Sequence, residues 1–141
     1  MTPRRRVLLA YPVTAAIFLA MDAAWLSNAA DRLYRPFVGQ LMAAQFAVAP
    51  AVIFYAIYFV GVVFFAVAPS LPGRRWRAAL GRGALLGLVA YGTYDLTNQA
   101  TLSGWAWQVT VADLCWGSFA TGVAAALACL ICGQRGDRRR A

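Results

Sequence analysis

The sequence contains no histidine, no lysine and no glutamate: all thirteen basic residues are arginines and all five acidic residues are aspartates. Histidine is the commonest protein ligand of zinc, copper and haem iron, and it is the usual general base at neutral pH. We therefore expect no cofactor and no metal site, and any proton transfer would have to use the aspartates.

Charged residues are also scarce, at 13% of the 141 residues, whereas 62% are apolar and the mean hydropathy is +0.61. This composition is typical of a membrane protein rather than a soluble one. The net charge of +8 could indicate nucleic-acid binding. However, the arginines form short clusters beside apolar segments, which is the topology signal of inner-membrane proteins. We therefore expect the lipid bilayer as a partner and no nucleic acid.

Only three cysteines are present. Cys129 and Cys132 form a C-x-x-C pair, which could be a redox or metal-binding motif. The favoured interpretation is that they are small apolar residues one helical turn apart. The same interpretation applies to Cys115.

Four apolar segments are present, each close to the length of about 20 residues that a helix needs to cross a bilayer. They predict an all-α membrane protein, with four transmembrane helices in a compact bundle that forms a single domain over residues 1–141. The predicted helices span 7–27, 48–68, 83–102 and 107–132. The basic start of the first segment resembles a signal peptide, but Asp22 interrupts its apolar stretch, so we expect a retained helix.

Arginine counting predicts the orientation of these segments. Eleven arginines lie before the first segment, between the second and third, or after the fourth, and only Arg32 and Arg35 lie on the other side. Because cytoplasmic loops carry the excess of positive charge, we expect both termini to face the cytoplasm in a multi-pass protein of the bacterial inner membrane.

Two local patterns add detail to this bundle. Apolar residues and arginines mingle over 31–46, which favours a short helix in the outer interface between helices 1 and 2, with Pro36 in its first turn. Gly83 and Gly87 form a G-x-x-x-G motif, which allows a neighbouring helix of the same chain to approach closely.

Three aspartates lie within the apolar segments. Counting about 1.5 Å per residue in a hydrocarbon core about 30 Å thick, Asp22, Asp95 and Asp113 lie roughly 8, 12 and 9 Å below the outer edge. Tyr55 of helix 2 reaches a similar depth and can donate a hydrogen bond. Three helices therefore contribute an acid to one layer of the outer, periplasmic half, where the sequence offers no arginine to pair with them.

The residues on the same helical faces as these acids complete a candidate ligand-binding site. The pattern D-x-x-W occurs twice, in MDAAW and ADLCW. In this hypothesis the acids bind a ligand or transfer protons, Asn98 and Tyr91 orient it, and the two tryptophans form walls. The candidate residues are Asp22, Trp25, Tyr55, Tyr91, Asp95, Asn98, Asp113 and Trp116.

Other interpretations of these acids stay open. A charge near the bilayer centre costs about 3 kcal/mol, so intramembrane acids usually face the bundle interior and are often functional. They can also act as interhelical glue that holds the bundle together. A proton or ion pathway is less favoured, because helices 3 and 4 become apolar toward the inner face. A hard cation such as Ca²⁺ is not specified by the spacing.

Several stretches resemble a family of small bacterial membrane proteins known as a domain of unknown function. The resemblance rests on YGTYDLTNQATLSGW at 91–105, ADLCWG at 112–117, FYAIYFVG at 54–61 and YRP at 34–36. It implies four helices and covers nearly the whole chain, but it carries no catalytic assignment. The genes of that family often lie near genes for fatty-acyl or membrane-lipid modification, which implies a lipid-linked role by association.

These observations favour a protein that binds an amphiphilic or lipid-like small molecule in an Asp-lined pocket in the periplasmic half, and they leave open whether it acts on that molecule. The alternative is a structural or accessory subunit of a larger membrane complex, with another membrane protein or a second copy of the chain as its partner.

Overall fold

The computed structural model describes residues 1–133, which contain helices and short turns and no strand. The predicted all-helical membrane architecture is confirmed. The arginines from Arg135 onward, which contribute to the predicted orientation, lie outside the described residues. The helices are α1 Pro3–Ala29, α2 Arg35–Val38, α3 Val48–Val62, α4 Trp76–Thr101 and α5 Trp107–Cys132.

Helix α1 begins where Thr2 caps it, with the Thr2 hydroxyl accepting a hydrogen bond from the Arg5 amide at 3.4 Å. Its buried residues recur at helical spacing and form one stripe toward the bundle. The helix does not stop before the predicted interfacial segment. It continues through a π-helical turn, Ala30–Tyr34, directly into α2, so that the short helix follows α1 without an intervening loop.

Helices α3 and α4 also extend beyond their apolar cores. α3 continues as a π-helical turn, Val63–Val67, and a short 3-10 turn to Ser70. Gly73, with φ of 70°, permits the tight turn that follows. α4 then begins at Trp76, well before its predicted start at 83, because a helix can continue into the interface where Arg77 lies over the Trp76 ring at 5.3 Å.

The closest helix pair is α4 and α5, which run antiparallel. A Cβ atom added at Gly83 would lie 2.7 Å from the Thr121 carbonyl oxygen, and one added at Gly87 would overlap the Gly117 carbonyl. The two backbones therefore approach more closely than any side chain would allow, which confirms the intramolecular role predicted for the G-x-x-x-G motif. About two turns beyond Gly87, the same pairing brings Asp95 of α4 beside α5.

Arginine side chains clamp the opposite end of the bundle. The Arg6 guanidinium donates to the Cys132 carbonyl at 3.0 Å, and Arg74 donates to the Leu130 carbonyl at 2.7 Å. Both bonds satisfy carbonyls in the last turn of α5 and place positive charge at the negative end of its dipole. The Cys129 thiol donates to the Ser70 carbonyl at 3.3 Å, so the start of α1 and the α3–α4 turn are both fastened to the end of α5.

Three helical segments within residues 1–133 are long and apolar enough to cross a membrane: Pro3–Leu41, Val48–Ser70 and Trp107–Cys132. α4 is not one of the three, because polar residues occupy its final turns. Large apolar side chains such as Leu8, Phe64 and Phe119 are more than half exposed, as expected of a surface that faces acyl chains. The number of spans, predicted as four, is not established by these features and stays a prediction.

The packing of α4 on α5 yields a matched pair of substitutions. Gly87→Ala should lower the free energy of unfolding by about 1–3 kcal/mol, because the new methyl group forces the two backbones apart. Gly81→Ala lies on the same helix with no atom within 4 Å of the added Cβ, and should be neutral or stabilising by up to about 1 kcal/mol. Thermal and denaturant unfolding in detergent, followed by circular dichroism, measure both. Equal effects of the two substitutions would contradict the close approach at Gly87.

Candidate functional site

The three aspartates of the apolar segments all lie inside the bundle rather than on its surface. Asp22 of α1 is 5% exposed, Asp95 of α4 is 0% exposed and Asp113 of α5 is 6% exposed. Since an ionisable group in hydrocarbon needs a polar partner, the hydrogen bonds of each carboxyl indicate what that group can do.

Asp22 has hydrogen-bond donors for both of its oxygens. The Tyr55 hydroxyl donates to Oδ2 at 2.5 Å, and the Trp116 indole N–H donates to Oδ1 at 3.0 Å. These bonds join α1 to α3 and α5 at one point, and bonds to a carboxylate are stronger than those between neutral groups. Asp22 therefore stabilises the bundle and has little capacity left for a ligand.

Asp113 has a donor that the sequence did not indicate. The Tyr34 hydroxyl, from the π-helical turn after α1, donates to Asp113 Oδ1 at 2.5 Å, and the Trp25 indole N–H donates to the Tyr34 oxygen at 3.0 Å. The Trp25 and Trp116 rings stack with centroids 4.7 Å apart and planes 7° from parallel. This stack physically links the Asp22 and Asp113 networks.

In the folded chain, the tryptophan of each D-x-x-W motif is linked by hydrogen bonds to the aspartate of the other motif. Trp116, which follows Asp113 in the sequence, donates to Asp22. Trp25, which follows Asp22, reaches Asp113 through Tyr34. The tryptophans therefore connect the two acids, and neither Trp25 nor Trp116 is in the lining of the cavities described below.

Asp95 lacks such partners. Its carboxyl lies within hydrogen-bonding reach of that of Asp113, so the two acids can share a proton, but no N–H or O–H group of residues 1–133 donates to either Asp95 oxygen. Within the same residues, the one ion pair joins Asp31 to Arg35 on an exposed surface, at 2.7 Å. An unsatisfied buried polar group costs about 1–3 kcal/mol, and more when it is charged. An ionised Asp95 therefore destabilises the isolated bundle.

A cavity of about 320 Å³ lies beside Asp113, and Asp95 lies behind Asp113 outside its lining. Its lining is almost wholly apolar and aromatic apart from one carboxyl: Phe54, Ala90, Tyr91, Tyr94 and Asp113. A second cavity of about 540 Å³ lies under the connection between α2 and α3 and shares Tyr94 and Asp113 with the first. Asp113 consequently lies between an apolar cavity and an outer vestibule.

The remaining predicted residues occupy different places around this site. Tyr91 lines the cavity and also packs its ring against Gly117. Asn98 lies one turn beyond Asp95, half-buried beside Tyr94. Tyr55 belongs to the Asp22 network and not to the cavity lining.

Sequence reasoning missed Tyr34, Tyr94 and Phe54. Tyr34 lies in the segment for which the sequence predicts an interfacial helix, and no spacing rule links it to Asp113, 79 residues away. The apolar residues of α3 and α4 predict that Phe54 and Tyr94 face lipid. The one signal available was the position of Tyr94 directly before Asp95.

The described residues contain no group of three or more cysteine, aspartate or similar ligands arranged to hold a metal ion. The acids instead fall into two kinds. Asp22 is fully hydrogen-bonded, whereas Asp95 and Asp113 form a pair of which only Asp113 receives a donor from the protein.

The Tyr34 network predicts a specific loss of stability. Tyr34→Phe should lower the free energy of unfolding by about 1–3 kcal/mol, because it leaves Asp113 and the Trp25 indole N–H without their shared partner. Tyr11→Phe is a matched control, since it removes one hydroxyl that donates to the Ala56 carbonyl at an exposed position, and should cost about 0.5–1 kcal/mol. Chemical unfolding in detergent measures both. If Tyr34→Phe proves no more costly than Tyr11→Phe, the network does not stabilise the outer half.

Comparison with known proteins identifies one family. Neither a curated protein nor a solved structure matches the chain. A family model described as "Predicted membrane protein (DUF2177)" matches residues 7–130, which include all three buried aspartates and both tryptophans of the stack. The resemblance inferred from the sequence is thereby confirmed, and the chain belongs to this family of predicted membrane proteins of unknown function.

Proposed function

We propose that the protein binds an amphiphilic, lipid-like small molecule in the outer half of the bundle, with the polar head of the ligand at Asp95 and Asp113 and its apolar part in the adjoining cavity. The observation that carries this proposal is a cavity lined by Asp113, whose neighbour Asp95 is completely buried without a donor among residues 1–133.

The contrast with Asp22 supports a binding role for Asp95. A carboxyl that only held helices together would receive donors from its neighbours, as Asp22 does from Tyr55 and Trp116. Asp95 receives none from residues 1–133 and adds a cost to folding. Buried polar groups left unsatisfied by the protein are expected where a ligand satisfies them.

The cavity has the properties of an amphiphile site. It is concave and mostly apolar with few polar groups, which is the usual character of small-molecule sites. Phe54 and Tyr94, from α3 and α4, are 48% and 60% exposed at its edge. A ligand that is dissolved in the bilayer could therefore enter from the side, between these two helices.

A second candidate function has one observation in its favour. The Asp22 network is interhelical glue of the kind expected in a structural protein. If Asp95 and Asp113 also hold helices together, their hydrogen-bond donors would come from another membrane protein or from a second copy of the chain. The protein would then be an accessory subunit that purifies with a partner in fixed stoichiometry.

The proposal includes a topology. We infer that α4 is a fourth span and that both termini face the cytoplasm of a bacterium, with the acid pair in the periplasmic half of the inner membrane. Arg6 and Arg74, from separate arginine clusters, contact the same end of α5. Clustered arginines are retained on the cytoplasmic side.

This topology predicts the behaviour of C-terminal fusions. A green fluorescent protein fused after residue 141 should fluoresce and a fused alkaline phosphatase should be inactive, because the first folds in the cytoplasm and the second needs an oxidising periplasm. A phosphatase fused after Leu102, between α4 and α5, should be active. The reverse pattern would refute the proposed orientation.

Ligand retention tests the binding proposal. Native mass spectrometry of the protein, purified gently from its membrane, should detect one retained amphiphile per chain. Ala90→Phe should abolish retention by filling the cavity, whereas Ala100→Phe, at an exposed position on the same helix, should not. Asp95→Asn should lose the ligand while the helical circular dichroism spectrum is unchanged. Retention that is equal in the wild type, Ala90→Phe and Asp95→Asn would refute the proposal.

A further inference from the structure

We infer that the head group of this ligand is a protonated amine that carries N–H bonds, held between the carboxyls of Asp95 and Asp113 and against the rings of Tyr91 and Tyr94. This inference rests on the proposed function and names the chemical class that the site selects. It follows from the charge, the hydrogen-bonding capacity and the aromatic lining of the site.

The charge of the site excludes an anionic head group. Two carboxyls lie together, and the arginines that make contacts within residues 1–133 are engaged elsewhere. Arg6 and Arg74 bind carbonyls at the other end of α5, and Arg35 pairs with Asp31 on the surface. A phosphate or carboxylate head would meet the negative charge of the acid pair, to which no arginine of residues 1–133 is bonded, whereas a cation would neutralise that charge.

The hydrogen bonding of the site requires donors. A carboxylate oxygen accepts hydrogen bonds and donates none. Both Asp95 oxygens are buried without a donor among residues 1–133, while Asp113 has only the Tyr34 hydroxyl on one oxygen. A primary ammonium group carries three N–H donors and can satisfy both acids at once. A quaternary ammonium carries the same charge but no donor, so it would leave Asp95 unsatisfied.

The aromatic lining favours the same class of ligand. Phe54, Tyr91 and Tyr94 line the cavity together with Asp113. Aromatic faces attract cations, and the attraction strengthens when the cation is desolvated, as it is below the membrane surface. The rings thus form an apolar wall that still tolerates a positive charge, and the chain of the amphiphile can continue along them toward lipid.

Three compounds with the same alkyl chain separate these contributions. Dodecylammonium has charge and N–H donors, dodecyltrimethylammonium has charge alone, and dodecanol has one neutral donor. Each is titrated into the purified full-length protein in a non-ionic detergent, and native mass spectrometry measures the fraction of protein that carries one bound molecule. Asp31→Asn is the matched control, because it removes an exposed acid outside the site.

Dodecylammonium should bind about tenfold or more tightly than either other compound, which corresponds to about 1.4 kcal/mol. Asp95→Asn should abolish this preference, and Asp31→Asn should retain it. The comparison of the three compounds on the wild type decides the matter even if Asp95→Asn fails to fold.

Two results would contradict the inference, but only the second would also contradict the proposed function. If all three compounds bind equally and Ala90→Phe prevents their binding, the cavity binds amphiphiles without selecting an amine, and only the inference is wrong. If none binds, or if Ala90→Phe leaves all binding unchanged, the proposed site and the inference both fail.

Discussion

The close approach of α4 and α5 is the constraint on which the half of the molecule that contains the acids depends. Gly83 and Gly87 let the two backbones touch where any larger residue would separate them, and Gly117 leaves room for the Tyr91 ring. Because α4 and α5 are antiparallel and in contact, the acids that each carries beyond this contact lie side by side. The acid pair is therefore a consequence of backbone packing, and the protein maintains it although two buried carboxyls repel each other.

The buried acids differ in the number of hydrogen-bond donors that they receive. Asp22 receives two donors and ties three helices together, whereas Asp95 receives none from residues 1–133 and lies behind Asp113, which lines a cavity. The stacked rings of Trp25 and Trp116 connect these two regions through the Tyr34 hydroxyl. Satisfied and unsatisfied acids thus share one rigid scaffold, which is the arrangement expected when a site must stay open for a ligand without loosening the fold.

The two ends of the bundle are held together by different kinds of side-chain hydrogen bonds. At one end, Arg6 and Arg74 satisfy the last carbonyls of α5 and fasten three chain segments together. At the other, the helices are held by buried tyrosine, tryptophan and aspartate side chains, and a cavity remains between them. Lipid supplies no hydrogen bonds, so every polar group in this region must be satisfied by the protein or by a bound molecule. The Asp95 carboxyl, next to Asp113, receives no such donor from residues 1–133.

Composition and residue spacing alone established the class of fold, the membrane character, the role of Gly83 and Gly87 and the burial of the three aspartates. Each of these depends on local composition or on spacing along one helix, which a linear sequence displays directly. The tertiary structure was needed to show that Tyr34 donates a hydrogen bond to Asp113 and that each D-x-x-W tryptophan is linked to the aspartate of the other motif. It also shows that Asp95, and not Asp22, receives no donor from residues 1–133. Those facts depend on the rotation of each helix about its axis and on contacts between distant segments. Many rotations bury the same number of apolar atoms, so hydrophobic pattern cannot choose among them, whereas the packing of particular side chains can.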